Sequence, residues 1–312
     1  MATILITGAS GLLGANLARD YAGDHEVWGV FNSHRLSLPG VRMIRADLAE
    51  PRQAMMVMGK VKPDLVVHCA AATDIDRCQR EPEWAFRLNK DMAENVATAA
   101  RRNGADLIHI STDAVFDGEA MPYEEGDQAA PVNVYGESKL AGEGAVVSAH
   151  PEALVVRTNL FGWNLRSGKK GLAEWFLSNL SQGRSVPGFQ DVYFSPLLVN
   201  DLGDMLLDLW KRGAEGVLHL GGGDCLSKFD FGRRLAAAFG YDIARVEPSS
   251  LEQVGLGAPR AKQLCLDSSK AASILSEPLP TIVEALLRFE ALRVKLGGEV
   301  EKAAVAQNST GS

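Results

Sequence analysis

Ile4-Leu5-Ile6-Thr7-Gly8-Ala9-Ser10-Gly11-Leu12-Leu13-Gly14 is the stretch on which the fold turns. Strand-forming residues lead into three glycines spaced by three, after which Leu13, Leu17 and Tyr21 recur at helical spacing as far as Gly23. The pattern predicts a buried first strand, a tight turn and a helix. In a dinucleotide-binding turn each glycine has its own reason: Gly8 permits the turn, Gly11 lets the backbone approach a pyrophosphate, and Gly14 lets helix and strand pack closely. Glycines also mark any tight turn, so the weight falls on the context, and both the preceding strand and the following helix are present. The helix N-terminus then faces the phosphates. Gly8, Ser10, Gly11, Leu12, Leu13 and Gly14 are therefore the first candidate cofactor-binding residues.

Downstream, Glu26-Val27-Trp28-Gly29-Val30-Phe31 reads as a second strand. Such a strand normally ends in an acid that bonds a ribose 2′-hydroxyl. Here Asn32-Ser33-His34-Arg35 follows. With no carboxylate and Arg35 nearby, a 2′-phosphate is better accommodated, which favours NADP, with NAD as the alternative; Arg35 reads equally well as a solvated loop residue. A third strand, Val41 to Arg45, leads to Asp47 and Leu48, where a short acid could accept from an adenine amino group. Asp64 to Cys69 is a fourth strand running into Ala70-Ala71-Ala72. Small residues there let the backbone lie against a cofactor, although close helix–sheet packing explains them too. Asn32, Ser33, Arg35, Asp47, Leu48, Cys69, Ala70, Ala71 and Ala72 extend the expected cofactor contacts, which Tyr135 and Lys139 further along the chain complete.

Residues 81–104 read as one long helix interrupted by Asn89, usually a solvated residue in such a place and sometimes a buried water holder. Asp106 to Ser111 is a fifth strand, and Ser111-Thr112-Asp113 lies at its carboxyl end, the edge where open α/β sheets bind ligands. The Thr112 hydroxyl could donate to a substrate carbonyl or simply cap a turn. His68, His109 and His219 sit in apolar strands and are assigned no chemistry. Next comes Asn133-Val134-Tyr135-Gly136-Glu137-Ser138-Lys139, which puts a phenol and an ammonium four residues apart on one helical face. A phenol with its pKa near 10 is a poor proton carrier at neutral pH until a cation stabilises its anion, and Lys139 supplies that charge. Tyr-x-x-x-Lys alone is common; it gains meaning from its place after the fifth strand.

A sixth strand at Ala153 to Thr158 continues the alternation, which predicts right-handed crossovers in a parallel sheet. Beyond Asn159 the pattern loosens: a basic loop from Arg166 to Lys170, a helix at Leu172 to Leu180, an irregular stretch to Ser195, strands at 196–199 and 216–220, and helices at 201–210, 229–239 and 281–296. Residues 303–312 read as a disordered tail.

Composition narrows the partners. A formal charge of -7 and a pI near 5.5 argue against a nucleic-acid or anionic-membrane surface. No apolar run approaches the roughly 20 residues of a spanning helix, and the first strand does not look like a signal peptide, so the cytoplasm is the expected compartment. The four cysteines, Cys69, Cys78, Cys225 and Cys265, show no metal-ligand spacing. They are expected to be free thiols, with no metal site.

Together these segments resemble the extended short-chain dehydrogenase/reductase family, and within it the dTDP-4-dehydrorhamnose reductase group, over nearly the whole chain. The most specific are Ala70-Ala71-Ala72-Thr73-Asp74-Ile75-Asp76, Ser111-Thr112-Asp113-Ala114-Val115-Phe116-Asp117-Gly118, Pro131 to Glu143, and Arg260 with Leu266-Asp267-Ser268-Ser269-Lys270. The resemblance implies an α/β fold, a Rossmann doubly wound parallel sheet with a smaller, mostly C-terminal substrate-binding domain. The cofactor part would comprise 1–162 and 196–225, the substrate part 163–195 and 226–302. It also implies a catalytic set of Thr112, Tyr135 and Lys139, a sugar-nucleotide substrate met by Thr112, Asp113, Leu160 and Arg260, and reduction of a 4-keto-6-deoxy sugar. A homodimer is left open. Ala114 and Leu160 stand where the reductases carry tyrosine and tryptophan, which puts the sugar rather than the chemistry in doubt. Two other readings stay open: a non-catalytic NADP-binding regulatory subunit, and an epimerase or dehydratase with bound NAD.

Overall fold

A computed structural model describes residues 1–255 and 257–293. The expected tail at 303–312 and the end of the expected 281–296 helix lie outside the described residues.

Seven strands form one parallel sheet. They are β1 (Thr3–Thr7), β2 (Glu26–Phe31), β3 (Val41–Arg45), β4 (Leu65–His68), β5 (Asp106–Ile110), β6 (Leu154–Arg157) and a last strand, Gly216–His219. From one edge to the other the order is Gly216–His219, β6, β5, β4, β1, β2, β3, every neighbour pairing in parallel. The order in which successive strands are added reverses at β1, which β4 and β2 flank, and the crevice at such a switch point is where ligands bind.

Alternation along β1 builds the two faces. Ile4 and Ile6 pack with Leu13, Leu17, Leu202 and Leu206 from the helices Leu12–Tyr21 and Val199–Lys211. Leu5 points the other way, to Val57, Met58, Val96 and Ala97 from Pro51–Val61 and Met92–Arg102. A one-residue slip would exchange these faces. A separate cluster around Phe161, Phe176, Phe231 and Phe289 knits the 172–180, 228–238 and 282–293 helices into their own core.

The long helix expected at 81–104 is divided. Pro82–Phe86 and Met92–Arg102 are α-helical, and between them Arg87–Asp91 widens to a π turn. Asn89 is the reason. It is buried, its Oδ1 accepts from the Ala72 amide at 2.7 Å, and its Nδ2 donates to the Ala72 carbonyl at 3.0 Å and to Ser138 Oγ at 2.9 Å. The gain from satisfying these buried polar groups favours the local wide turn. One side chain thereby ties the end of β4 to the helix that carries Tyr135 and Lys139.

The cysteines divide as well. Cys69 and Cys78 are free, but Cys225 and Cys265 form a disulfide, which corrects the expectation of four thiols. The pairing comes from register. Leu226 and Leu264 both stand opposite Phe194, on either side of the Tyr193–Phe194 strand, so their neighbours 225 and 265 arrive at the same level. A separation of 40 residues carries no sign of that.

Candidate active site

The carboxyl edge of the sheet opens into a cleft of about 750 Å³. That is within the range of small-molecule sites. Its floor is the first turn. Gly8 has φ +64°, and a Cβ there would stand 2.8 Å from the Ala70 backbone; a Cβ on Gly14 would stand 2.4 Å from the Gly8 carbonyl. Only glycine fits either place, so turn, helix and β4 close to a distance that leaves room above them for a flat, phosphate-bearing group.

Gly8, Ser10, Gly11, Leu12, Leu13, Gly14, Asn32, Ser33, Asp47, Leu48, Cys69, Ala70 and Ala71 all line this cleft. Two expected contacts do not. Ala72 is turned into the core, both of its backbone groups taken by Asn89. Arg35 is exposed and lies off the wall, where His34 lines the cleft instead. Arg45 is exposed and off the wall as well, but its Nε donates to the Asn32 carbonyl at 3.0 Å and so ties it to this loop. Asp47 is on the wall, but its carboxylate already meets Arg87 at 3.0 Å. The donor set thus suits a nicotinamide dinucleotide: glycine-turn amides at the helix start, no acid at the end of β2, and small residues after β4.

Thr112, Tyr135 and Lys139 converge on the same cleft. Thr112 follows β5, and its Oγ1 caps a short turn by accepting from the Ala114 amide at 3.2 Å while donating to Asp113 Oδ1 at 3.1 Å. Tyr135 and Lys139 occupy the first turns of the Val134–Ala149 helix, started by Asn133, whose side chain accepts from the Gly136 amide at 3.0 Å. Burial pushes the Tyr135 phenol up to about 12; the Thr112 hydroxyl pulls against this, while Asp113 and Cys78 add to it. Burial brings the Lys139 ammonium down to about 8, with Glu143 holding it up. Its Nζ donates to the Ile110 carbonyl at 2.7 Å and lies 3.5 Å from His109 Nε2. His109 stacks on His68, and burial holds both imidazoles low, His68 at about 3, so they are neutral neighbours of the lysine.

One turn further along, Glu143 makes a buried pair with Arg157, 2.8 Å at the closest, and accepts from Ser111 Oγ at 2.5 Å. This anchors the end of β5, β6 and the helix behind the face that bears Tyr135 and Lys139. Asp113 faces the other half of the cleft. Burial raises its carboxyl to about 6 against the donors Asn159, at 2.6 Å, and Thr112. Leu160, Ala114 and Arg260 line that half too. Arg260 is oriented by Asp76, 3.1 Å away, and by the Ala258 carbonyl at 2.8 Å. Missing from the sequence reading are His34, Asn159, Tyr193 and Lys228, all on the wall; of these only Lys228, a cation opening a helix, breaks a local rule that sequence can show. Among the described residues no cluster could hold a metal ion.

A family model described as the RmlD substrate binding domain matches residues 1–291. The chain belongs to that family. A probable low-salt glycan biosynthesis reductase, Agl14, of Haloferax volcanii is 33% identical over 92% of this chain and 96% of its own length. A dTDP-4-dehydrorhamnose reductase of Mycobacterium tuberculosis is 36% identical, covering 88% of each. Among solved structures, the dTDP-4-dehydrorhamnose reductase of Bacillus anthracis in complex with NADP superposes with a TM-score of 0.83 at 27% identity, over 93% of this chain and 99% of that one. As a member of the RmlD family the chain has the extended short-chain dehydrogenase/reductase fold and is an NAD(P)-dependent oxidoreductase. No helix among the described residues is long and apolar enough to cross a membrane.

Proposed function

We propose that the protein reduces the ketone of a 4-keto-6-deoxy sugar nucleotide with NADPH. The observation that carries this reading is the convergence of Thr112, Tyr135 and Lys139 on one cleft with the glycine turn. When bound, the nicotinamide supplies a hydride to the ketone carbon. Thr112 donates to the ketone oxygen, and Tyr135 gives that oxygen its proton as negative charge develops. Positioned proton transfer of this kind contributes roughly 10²–10⁴-fold. Lys139 binds the nicotinamide ribose and favours the phenolate that Tyr135 becomes, lowering a pKa that burial alone holds too high. Steady-state assays of NADPH oxidation against a panel of keto sugar nucleotides test the reading; no turnover with any of them contradicts it. A regulatory subunit would need neither the phenol nor the ammonium, and both are in place.

NADPH is expected to bind more tightly than NADH, because β2 ends without a carboxylate. Arg45, not Arg35, is the expected contributor, since Arg45 is held against the Asn32 carbonyl. Arg45→Ala should weaken NADPH by up to about fivefold, an effect that fades with added salt. Arg35→Ala should change little. Fluorescence titration of both cofactors checks this, and a larger loss from Arg35→Ala reverses the assignment.

Ala114 and Leu160 leave the sugar half roomier and poorer in donors than tyrosine and tryptophan would. Turnover of dTDP-4-dehydrorhamnose should therefore be slow beside that of a bulkier or less polar 4-keto-6-deoxy sugar nucleotide, because each missing donor weakens recognition of a hydroxyl. Comparing kcat/KM for the two decides it: efficient use of the rhamnose precursor refutes the pocket argument.

A further inference from the structure

Lys228 occupies an unfavourable place for a cation unless something anionic joins it. It is the first residue of the Lys228–Ala238 helix, directly after the Ser227 cap, where the helix dipole presents its positive end. It is partly buried on the cleft wall, and its ammonium has no hydrogen-bond or ion-pair partner among the described residues, whereas Lys262 nearby is committed to Asp191 and Glu252. Burial lowers its pKa, Asp113 holds it up and Arg260 lowers it further.

The backbone shows why Lys228 and Arg260 line one cleft. Leu226–Ser227 and Gln263–Leu264 flank the central Tyr193–Phe194 strand. The Lys228 amide donates to the Val192 carbonyl at 2.9 Å, and the Tyr193 amide donates to the Lys262 carbonyl at 2.7 Å. The two chain segments are thus clamped on opposite sides of residues 192 and 193, about two strand spacings or roughly 10 Å apart. Both side chains reach the same cleft. Asp113 lines the same cleft and its charge acts on Lys228; it stands beside Thr112 and so beside the reacting ketone.

A cation unpaired among the described residues that shares one cleft wall with the sugar-facing carboxylate and with a second cation matches one part of a sugar nucleotide, the phosphate joined to the sugar. We propose that Lys228 binds this sugar-linked phosphate, while Arg260 takes the phosphate joined to the nucleoside. This rests on the sugar-nucleotide reading and deepens it. The ammonium is a point charge on a flexible stem and suits a phosphate that turns with its sugar; the guanidinium, fixed by Asp76, suits a stationary one.

The probes are dTDP and dTMP, titrated into the NADP-loaded protein by calorimetry. The first carries both phosphates, the second only the nucleoside-linked one. Lys228→Met should weaken dTDP by about thirtyfold or more, with dTMP and NADP affinities unchanged. Lys228→Arg should recover most of the dTDP affinity, and Lys228→Gln gives a second neutral variant should methionine perturb folding. Equal losses for dTDP and dTMP, or a dTDP affinity within threefold of wild type in both neutral variants, overturn the proposal. So does failure of dTDP, UDP and GDP alike to bind the wild-type protein. Lys228-dependent dTDP binding without any keto-sugar reduction would leave this assignment standing and strike only the reductase reading.

Discussion

Tyr135→Phe is expected to lower kcat by about 10²–10⁴-fold while leaving NADPH affinity within about twofold. The substitution keeps the ring that packs against the cluster of Ala72, Cys78 and Ala85 and removes only the hydroxyl. In the proposed site the cofactor is held mainly by the glycine turn, the end of β2 and Lys139, none of which depends on that oxygen. The loss should therefore fall on kcat and kcat/KM together, the sign of an interaction made in the transition state. Lys139→Met should differ by harming both binding and turnover, because the ammonium is expected to serve the ribose as well as the phenol. Stopped-flow binding alongside steady-state rates separates the two patterns. Wild-type turnover in Tyr135→Phe would end the assignment.

The second large effect concerns stability. Glu143→Gln leaves the Arg157 guanidinium buried without its counter-charge. Breaking such a pair from one side costs about 3–5 kcal/mol, since the remaining charge stays desolvated. Urea unfolding should show a lower midpoint at an unchanged slope. The same change has a reading in catalysis. Glu143 holds the Lys139 pKa up, so its neutralisation moves that pKa below about 8. The ammonium is present below its pKa and lost above it. The alkaline fall of kcat/KM should therefore begin at a lower pH in the variant than in the wild type. Unchanged stability and an unchanged alkaline limb would show that the pair is not what supports the lysine.

What the sequence disclosed and what it withheld have physical reasons. The first turn was legible because its glycines, strand and helix are all local, and the structure returns each one in place. Tyr135 and Lys139 were legible because four residues of helix fix their face. Asn89 stayed ambiguous because its partners, Ala72 and Ser138, are distant in sequence and meet it only in the folded chain. The disulfide failed for the same reason: Cys225 and Cys265 are brought level by the strand at Tyr193–Phe194, too short at two residues to show any periodicity. Arg35 and Arg45 illustrate a finer limit. Nearness in sequence points to Arg35 alone, whereas parallel pairing of β2 with β3 also sets Arg45 opposite Phe31 and within reach of Asn32.

The central claim is that this cleft moves a hydride from a nicotinamide to a sugar ketone while Tyr135 protonates the oxygen. It is tested most directly, and without regard to which face of the nicotinamide is used, by incubating the protein with NADPH dideuterated at C4 and a 4-keto-6-deoxy sugar nucleotide, then reading the product by NMR. The account predicts one deuterium at sugar C4, of a single configuration, formed at the rate of NADPH loss and nearly abolished in Tyr135→Phe. Unlabelled product, or deuterium transfer that survives Tyr135→Phe at the wild-type rate, would contradict it.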